Sequence, residues 1–444
     1  MRASRLSRQG EHAAALALCK MRNVEVLSRA GMYLSVLSLA DSSSLERALA
    51  LLYVGNIEEA IKITASHGNL GQARALVGYL AANVPDRVWP LIADKPRFFD
   101  IDQYCRLALG VPGSVQGERD RLPEILGLSI SLSRGELAQA EGYLYRLFNQ
   151  AGLTPPAMDL TSGRLDISTI RCDAALANID TPPLISVILT SHNEEKYLYH
   201  AAKSVLQQTW PALELIIVDD ASTDDTRAVA ERLHSEDHRV QIIRLQKNIG
   251  TWRAKNVGLA AAKGAYLTMH DADDWSHPEK LERQIIPLLV NHHLMSSSSY
   301  MFRVNEQTGL PFTRNAASFL RWNPCSLMYR RSVIDELGVY FQDLLGGDCE
   351  FSARIETHWG RDSHYALRLP LTIGWQRARG LSARHRASTR LTVPAKRLQD
   401  WENWRRLHIE HYRRRKTMRG RVEYPTLGSC EKEVPWHAHD IHEH

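Results

Sequence analysis

Four short apolar runs, Ile185 to Thr190, Leu213 to Val218, Val240 to Leu245 and Ala265 to Met269, are separated by amphipathic stretches. Runs of this length and composition read as buried strands, and the stretches between them as helices. That alternation predicts an α/β domain with a parallel, doubly wound sheet. Ligands of such sheets bind beyond the carboxyl ends of the strands, so the polar residues after each run are the candidates for chemistry. Thr190-Ser191-His192-Asn193-Glu194 follows the first run, Asp219-Asp220-Ala221-Ser222-Thr223-Asp224 the second, and His270-Asp271-Ala272-Asp273-Asp274 the fourth. All three clusters should meet at one sheet edge.

The last cluster is the most specific. Asp271 and Asp273, with Asp274 adjacent, crowd carboxylates onto a tight turn after a buried strand. A hard divalent cation relieves that repulsion, and Mg²⁺ or Mn²⁺ held by one or two carboxylates completes its shell with substrate phosphates and water. The cluster therefore points to a diphosphate-bearing substrate. Taken alone, such spacing also occurs in solvated turns and helix caps.

Four stretches in order, P-P-L-I-S-V-I-L-T-S-H-N-E (182–194), L-I-I-V-D-D-A-S-T-D-D-T (215–226), N-I-G-T-W-R-A-K-N-V-G-L (248–259) and H-D-A-D-D-W (270–275), together resemble the GT-A glycosyltransferases of family 2. The similarity runs from about Leu184 to at least Arg354. It implies a GT-A domain, Rossmann-like with a mostly parallel sheet, over 183–390. The implied reaction is inverting transfer of a sugar from an NDP-sugar, specifically a UDP-sugar, to a hydroxyl of a growing or lipid-linked glycan in bacterial surface polysaccharide synthesis. Mn²⁺ or Mg²⁺ is the implied cofactor.

The resemblance also implies residue roles. Thr190 and Asp220 match the positions that hold the nucleotide base and ribose, with Asp219 beside them and Asn193 and Glu194 in the same donor-binding set. A carboxylate can accept from uracil or ribose donors. Asn248, Gly250, Arg253, Lys255 and Asn256 match the segment that passes the donor. Asp271 and Asp273 take the metal. In Leu345-Gly346-Gly347-Asp348-Cys349-Glu350-Phe351, Asp348 matches the general base, with Glu350 as the alternative; Gly347 stands where the family pattern often has Glu. In the segment Gly374 to Ser382, Ala378 occupies the place of a metal- or diphosphate-binding His. Either His385 supplies it from a shifted loop, or Arg377 and Arg379 neutralise the diphosphate.

The rest of the chain reads differently. Residues 1–152 are rich in Ala and Leu at helical spacing and carry the pattern Gly, polar, apolar, two variable residues, Ala four times, from Gly10, Gly55, Gly68 and Gly135. This predicts an all-α, helical-hairpin domain similar to a degenerate tetratricopeptide array, open to a protein partner. An ordinary helical bundle would satisfy the same spacing. Pro155, Pro156, Gly163, Pro182 and Pro183 mark 153–182 as a linker. Residues 391–444 form a basic, partly helical extension, in which Trp401, Trp404, Leu407 and Ile409 alternate with Arg405, Arg406, Arg413, Arg414, Arg415 and Lys416. Such a helix either rests on an anionic membrane surface or docks on the protein.

A formal charge of +5 is too small to make nucleic acid the main partner. Six scattered cysteines without paired spacing fit a reducing cytoplasm, and no run approaches a membrane span, which leaves peripheral contact with the inner face of the membrane. Two other function classes fit the same carboxylates: an inactive GT-A-like scaffold protein and a metal-dependent nucleotidyltransferase. Against the latter, no Gly-rich loop with a following Lys of the P-loop kind is present.

Overall fold

A computed structural model describes residues 24–29, 32–40, 44–67, 70–71, 73–93, 95–111, 123–342, 344–377 and 395–417. The N-terminal region is helical: α1 (Val24–Arg29), α2 (Tyr33–Leu39), α3 (Leu45–Val54), α4 (Ile57–Ser66), α5 (Arg74–Ala81), α6 (Pro85–Ile92), α7 (Phe99–Leu109), α8 (Glu124–Ser133) and α9 (Leu137–Asn149). Two copies of the repeated pattern show what each position does. Gly55 and Gly135, at φ 94° and 70°, take the left-handed turn that ends one helix and starts the next. Asn56 then caps α4 by accepting from the Glu59 amide, and the closing Ala60 and Ala140 are fully buried between helices. The copy at Gly10 lies outside the described residues, as do Gly68, Asn69 and Gln72.

The helices do not stand apart from the α/β domain. Ile125, Leu126, Tyr143, Leu144 and Phe148 of α8 and α9 share one core with Leu160, Leu165 and Ile167 of the Pro-rich segment and with Trp275, Phe302, Leu371 and Ile373 of the sheet. The segment 153–182 is thus held by its own buried side chains. Further up the array, the Gly78 carbonyl accepts from the Ala316 amide at 2.9 Å, so α5 touches a loop of the sheet domain.

The apolar runs form β1 (Ile185–Ser191), β2 (Leu213–Asp219), β3 (Val240–Arg244) and β4 (Tyr266–Asp271), parallel in the order β3-β2-β1-β4. Between them run α10 (Leu198–Leu206), α11 (Thr226–Glu236) and α12 (Thr251–Ala261). Alternating side chains bury both faces. Ile185, Val187 and Leu189 meet α10, while Ile188 meets Ala254 and Val257 of α12. Beyond β4 the sheet is mixed, continuing through β5 (Asp274–Ser276), β6 (Ser296–Asn305), β7 (Pro311–Phe312), β8 (Arg321–Arg330) and β9 (His364–Gln376). Parallel order therefore holds for the half with short βα crossovers. The other half is built around the long strands β6, β8 and β9, with β8 antiparallel to both β4 and β6.

Three helices complete the domain: α13 (Lys280–Val290), α14 (Ser332–Leu337) and α15 (Gly347–Trp359). The last described element, α16 (Ala395–Thr417), bridges α15 and the N-terminal α2. Leu398, Trp404 and Ile409 are buried, and Glu402 accepts from the amide and hydroxyl of Ser35 at 2.9 and 2.7 Å. This helix spends its apolar face on the fold. The side chains of Arg413 to Lys416 lie outside the described residues. Among the described residues no helix is long and apolar enough to cross a membrane.

Candidate active site

The strand register sets the frame. Thr190 on β1 pairs with Val218 on β2 and with Asp271 on β4, and Ser191 pairs with Asp219. The three polar clusters consequently leave neighbouring strands at the same level. Two non-glycine residues, Asn193 (φ 58°) and Ala221 (φ 55°), hold left-handed backbone in the first two loops. Asn adopts this conformation readily, whereas for Ala it costs about 1 kcal/mol or more, so surrounding contacts must enforce it.

Those contacts join the loops. The Asn193 amide donates to Ser222 Oγ at 3.0 Å, and Asn193 Oδ1 accepts from the Thr223 amide at 2.8 Å. Asp219 accepts from the Ser222 amide at 3.0 Å. Asp220 accepts from the amides of Ile249 and Gly250 at 2.7 and 2.9 Å, which fixes the turn before α12; Gly250 has φ 87° there. Asn248 is exposed on that turn and Arg253 is partly buried on the first turn of α12. Asn256 points into the core, where it holds both the carbonyl and the amide of Tyr340.

Lys255, one turn into α12, is buried and lies 3.3 Å from Asp271. Cys325 on β8 donates its thiol to the same carboxylate at 3.0 Å. Burial works against ionising Asp271, yet Lys255 and Cys325 hold it down at about 2. Burial likewise pulls the Lys255 amine down, but Cys325, Asp271 and Asp348 keep it above its ordinary value. Lys255 Nζ also lies 4.9 Å from the centre of the Trp252 ring, and that ring packs against Gly347, the residue before Asp348.

Asp273 pairs with Arg377 Nε at 2.8 Å, and both terminal nitrogens of Arg377 bond Glu194 at 2.6 and 2.7 Å. The end of β9 is thus tied to the loop after β1. Burial, with repulsion from Asp273 added, lifts Glu194 to about 7 despite that arginine. Burial also raises Asp273, and Asp274, buried behind it, is raised well above the carboxylate range by burial and by its two acidic neighbours. At Asp273 and Asp274, burial and mutual repulsion outweigh the attraction of the nearby cations. Asp271 and Asp273 accordingly suit a divalent cation whose remaining ligands are substrate oxygens. Among the described residues no group of three or more His, Cys, Asp or Glu is arranged to hold a metal unaided. His385 and Arg379 lie outside the described residues.

The helix α15 separates the two candidate bases. Gly346 (φ 92°) turns the chain into it, and a Cβ on Gly347 would stand 3.0 Å from the Trp252 ring. Trp252 thus occupies the space that a side chain before Asp348 would need, which accounts for glycine there. Asp348 sits half-buried in the first turn, its Oδ1 accepting from the Cys349 amide at 2.9 Å. Glu350, two residues further along the helix, is fully buried and turned into the core. It accepts from Arg354 at 2.9 and 2.5 Å and from His408 of α16 at 2.8 Å. Cys325, Trp252 and His408 carry no signal in the sequence, since each acts through a partner far along the chain.

The glycosyl transferase family 2 model matches residues 186–338. An uncharacterized glycosyltransferase of Haemophilus influenzae is 38% identical over 120 residues, covering 27% of this chain and 48% of that protein. A Bacillus subtilis glycosyltransferase named for teichuronic acid biosynthesis, TuaG, is 36% identical over 128 residues, covering 29% and 51%. The chain spans about half the length of these curated relatives. Among solved structures, Staphylococcus aureus TarS 1–349 in complex with UDP shares 21% identity over 44% of this chain and 61% of that chain, with a TM-score of 0.36.

Proposed function

Because residues 186–338 are a glycosyl transferase family 2 domain, we propose that this chain transfers a sugar from a UDP-sugar to a hydroxyl of a growing glycan, with inversion. The observation that carries the reading is the cluster at the carboxyl end of β4, where Lys255 Nζ lies 3.3 Å from Asp271 and 4.9 Å from the Trp252 ring, against which Gly347, the neighbour of Asp348, packs. Asp219 and Asp220, at the end of β2, supply acceptor oxygens for the base and ribose, with Thr190 beside them. Lys255 and Arg377 flank the place of the diphosphate. Asp271 and Asp273 would hold Mn²⁺ or Mg²⁺, which when bound supplies Lewis-acid neutralisation of the leaving diphosphate.

Asp348 takes the proton of the acceptor hydroxyl as its oxygen bonds to the anomeric carbon. The bond from that carbon to the diphosphate oxygen breaks on the opposite face, and its electron pair leaves with UDP. Lys255 stabilises the charge that develops there from a position already fixed by Asp271 and Cys325. Glu350, satisfied by Arg354 and His408, positions the helix and takes no proton from substrate. A growing glycan as acceptor is supported by the relative named for teichuronic acid biosynthesis.

The test is release of UDP or GDP from a panel of UDP- and GDP-sugars by the full chain with Mn²⁺, first with water and then with glycan acceptors. Release from one UDP-sugar, accelerated by an acceptor, supports the reading. No release from any donor under conditions where the chain is folded would overturn it.

A further inference from the structure

The carboxylate of Asp271 is held unevenly. Its Oδ1 accepts from Lys255 Nζ at 3.3 Å and from Cys325 Sγ at 3.0 Å, and Lys255 Nζ also donates to Cys325 Sγ at 3.6 Å. Ammonium, thiol and oxygen thus form a closed triangle on one side of the group. Among the described residues Oδ2 accepts no hydrogen bond. The Asp271 side chain is 38% exposed, against 5% for Lys255. One oxygen is committed to the protein and the other is open.

The sheet explains why a thiol reaches this place. Continued past the Thr268–Met328 pair, the antiparallel register of β4 and β8 brings Asp271 opposite Cys325. Cysteine turns about a single side-chain bond from a strand, whereas the ammonium of Lys255 ends a long flexible stem. By itself an ammonium, with three donors, can bridge both oxygens of a carboxylate. Sγ stands on the Oδ1 side and accepts one of those donors, which draws Lys255 toward Oδ1 and away from Oδ2. Asp273 is held in a corresponding way, by Arg377 Nε at 2.8 Å from its Oδ2. A cation that takes one oxygen from each carboxylate keeps most of its shell for substrate oxygens and water.

We propose that Cys325 is a positioning residue of the metal site: its thiol gathers Lys255 onto Oδ1 of Asp271, so that Oδ2 stays open to the cation. The inference rests on the reading of Asp271 as a metal ligand in glycosyl transfer. Cys325 itself binds neither metal nor substrate.

The test is the affinity of the full chain for UDP, measured by calorimetry without metal and over a series of Mn²⁺ concentrations. In Cys325→Ala the ammonium is free to bridge both oxygens and compete with the cation. The Mn²⁺ concentration that gives half of the tightening should rise about tenfold or more, the usual effect of removing a hydrogen bond to a metal ligand. UDP affinity without metal should match that of the native chain, and kcat should recover at saturating Mn²⁺. A merely structural role would lower both. Cys325→Ser keeps a donor and should stay within about threefold of the native Mn²⁺ requirement. If Cys325→Ala does not fold, Cys325→Val, which fills the space without a donor, carries the test. An unchanged Mn²⁺ requirement in these two variants, loss of metal-free UDP affinity, or a Cys325→Ser chain as impaired as Cys325→Ala overturns the positioning role and leaves the transfer reading intact. UDP binding that Mn²⁺ does not tighten in the native chain removes the metal assignment and the inference with it, and turnover in EDTA then decides whether the transfer reading survives.

Discussion

His408 Nε2 donates to Glu350 Oε1 at 2.8 Å, across 58 residues of sequence, and both side chains are fully buried. The bond ties α16 to the helix that begins with Asp348. Removing the imidazole leaves a buried carboxylate with Arg354 alone, at a cost of about 1–3 kcal/mol. His408→Ala should therefore lower Tm and reduce kcat, with KM for the donor changed little because the nucleotide contacts proposed above lie at the ends of β1 and β2. His408→Gln, which keeps a donor, should recover much of both. Urea unfolding and steady-state kinetics of the two variants check this.

Asp348→Asn keeps the size of the side chain and its contact with the Cys349 amide but removes its basicity. It should lower kcat by ~10²–10⁴ with donor binding nearly unchanged. Glu350→Gln should instead act mainly on stability, because its carboxylate serves Arg354 and His408. A kcat loss in Glu350→Gln without destabilisation, and none in Asp348→Asn, would reverse the two roles.

Chelation tests the carboxylate turn. EDTA should abolish UDP release and Mn²⁺ should restore it, whereas Asp273→Ala should stay inactive at saturating Mn²⁺. Release that continues undiminished in EDTA would leave Lys255 and Arg377 as the sole source of diphosphate neutralisation.

Gly347→Ala probes the contact with Trp252. A Cβ at 3.0 Å from the ring must displace either the indole or the helix start, a strain of about 1–3 kcal/mol. The expected result is a lower Tm together with a lower kcat, since the displaced turn carries Asp348. The double variant Gly347→Ala, Trp252→Leu should recover stability; calorimetry of both chains measures it.

Away from the site, His364 sits between Ser296 Oγ at 2.9 Å and Ser298 Oγ at 2.8 Å. Burial, assisted by Arg361, lowers its pKa to about 4 from an unfolded value near 6.5. Between those values the unfolded chain binds the extra proton. The stabilising contribution is therefore complete above pH 6.5 and is lost as pH falls toward 4. Unfolding free energy measured from pH 7 to pH 4 should fall more steeply for the native chain than for His364→Gln, by at most about 1.4 kcal/mol per pH unit.

What the sequence determined by itself is the parallel half of the sheet and the acidic groups at its edge. Short, β-branched runs such as Leu213–Val218 read as buried strands, and in a parallel sheet the residues at their ends, Asp219 and Asp271, emerge on the same side. Those are local and periodic properties, readable without knowing any partner. The tertiary structure decided the rest. That Glu350 belongs to the core, which leaves Asp348 as the proposed base, depends on α16 delivering His408. The cation facing Asp271 depends on α12 packing across β1 and β2 beside β4, and the thiol beside it on β8 running antiparallel to β4. The partners of Asp271 in that set are 16 and 54 residues away along the chain, and sequence spacing holds no information about contacts at such separations. The mixed half of the sheet, from which Cys325 comes to face Asp271, was hidden for the same physical reason: register between distant strands is set by packing, and a shift of one residue would turn the thiol to the opposite side.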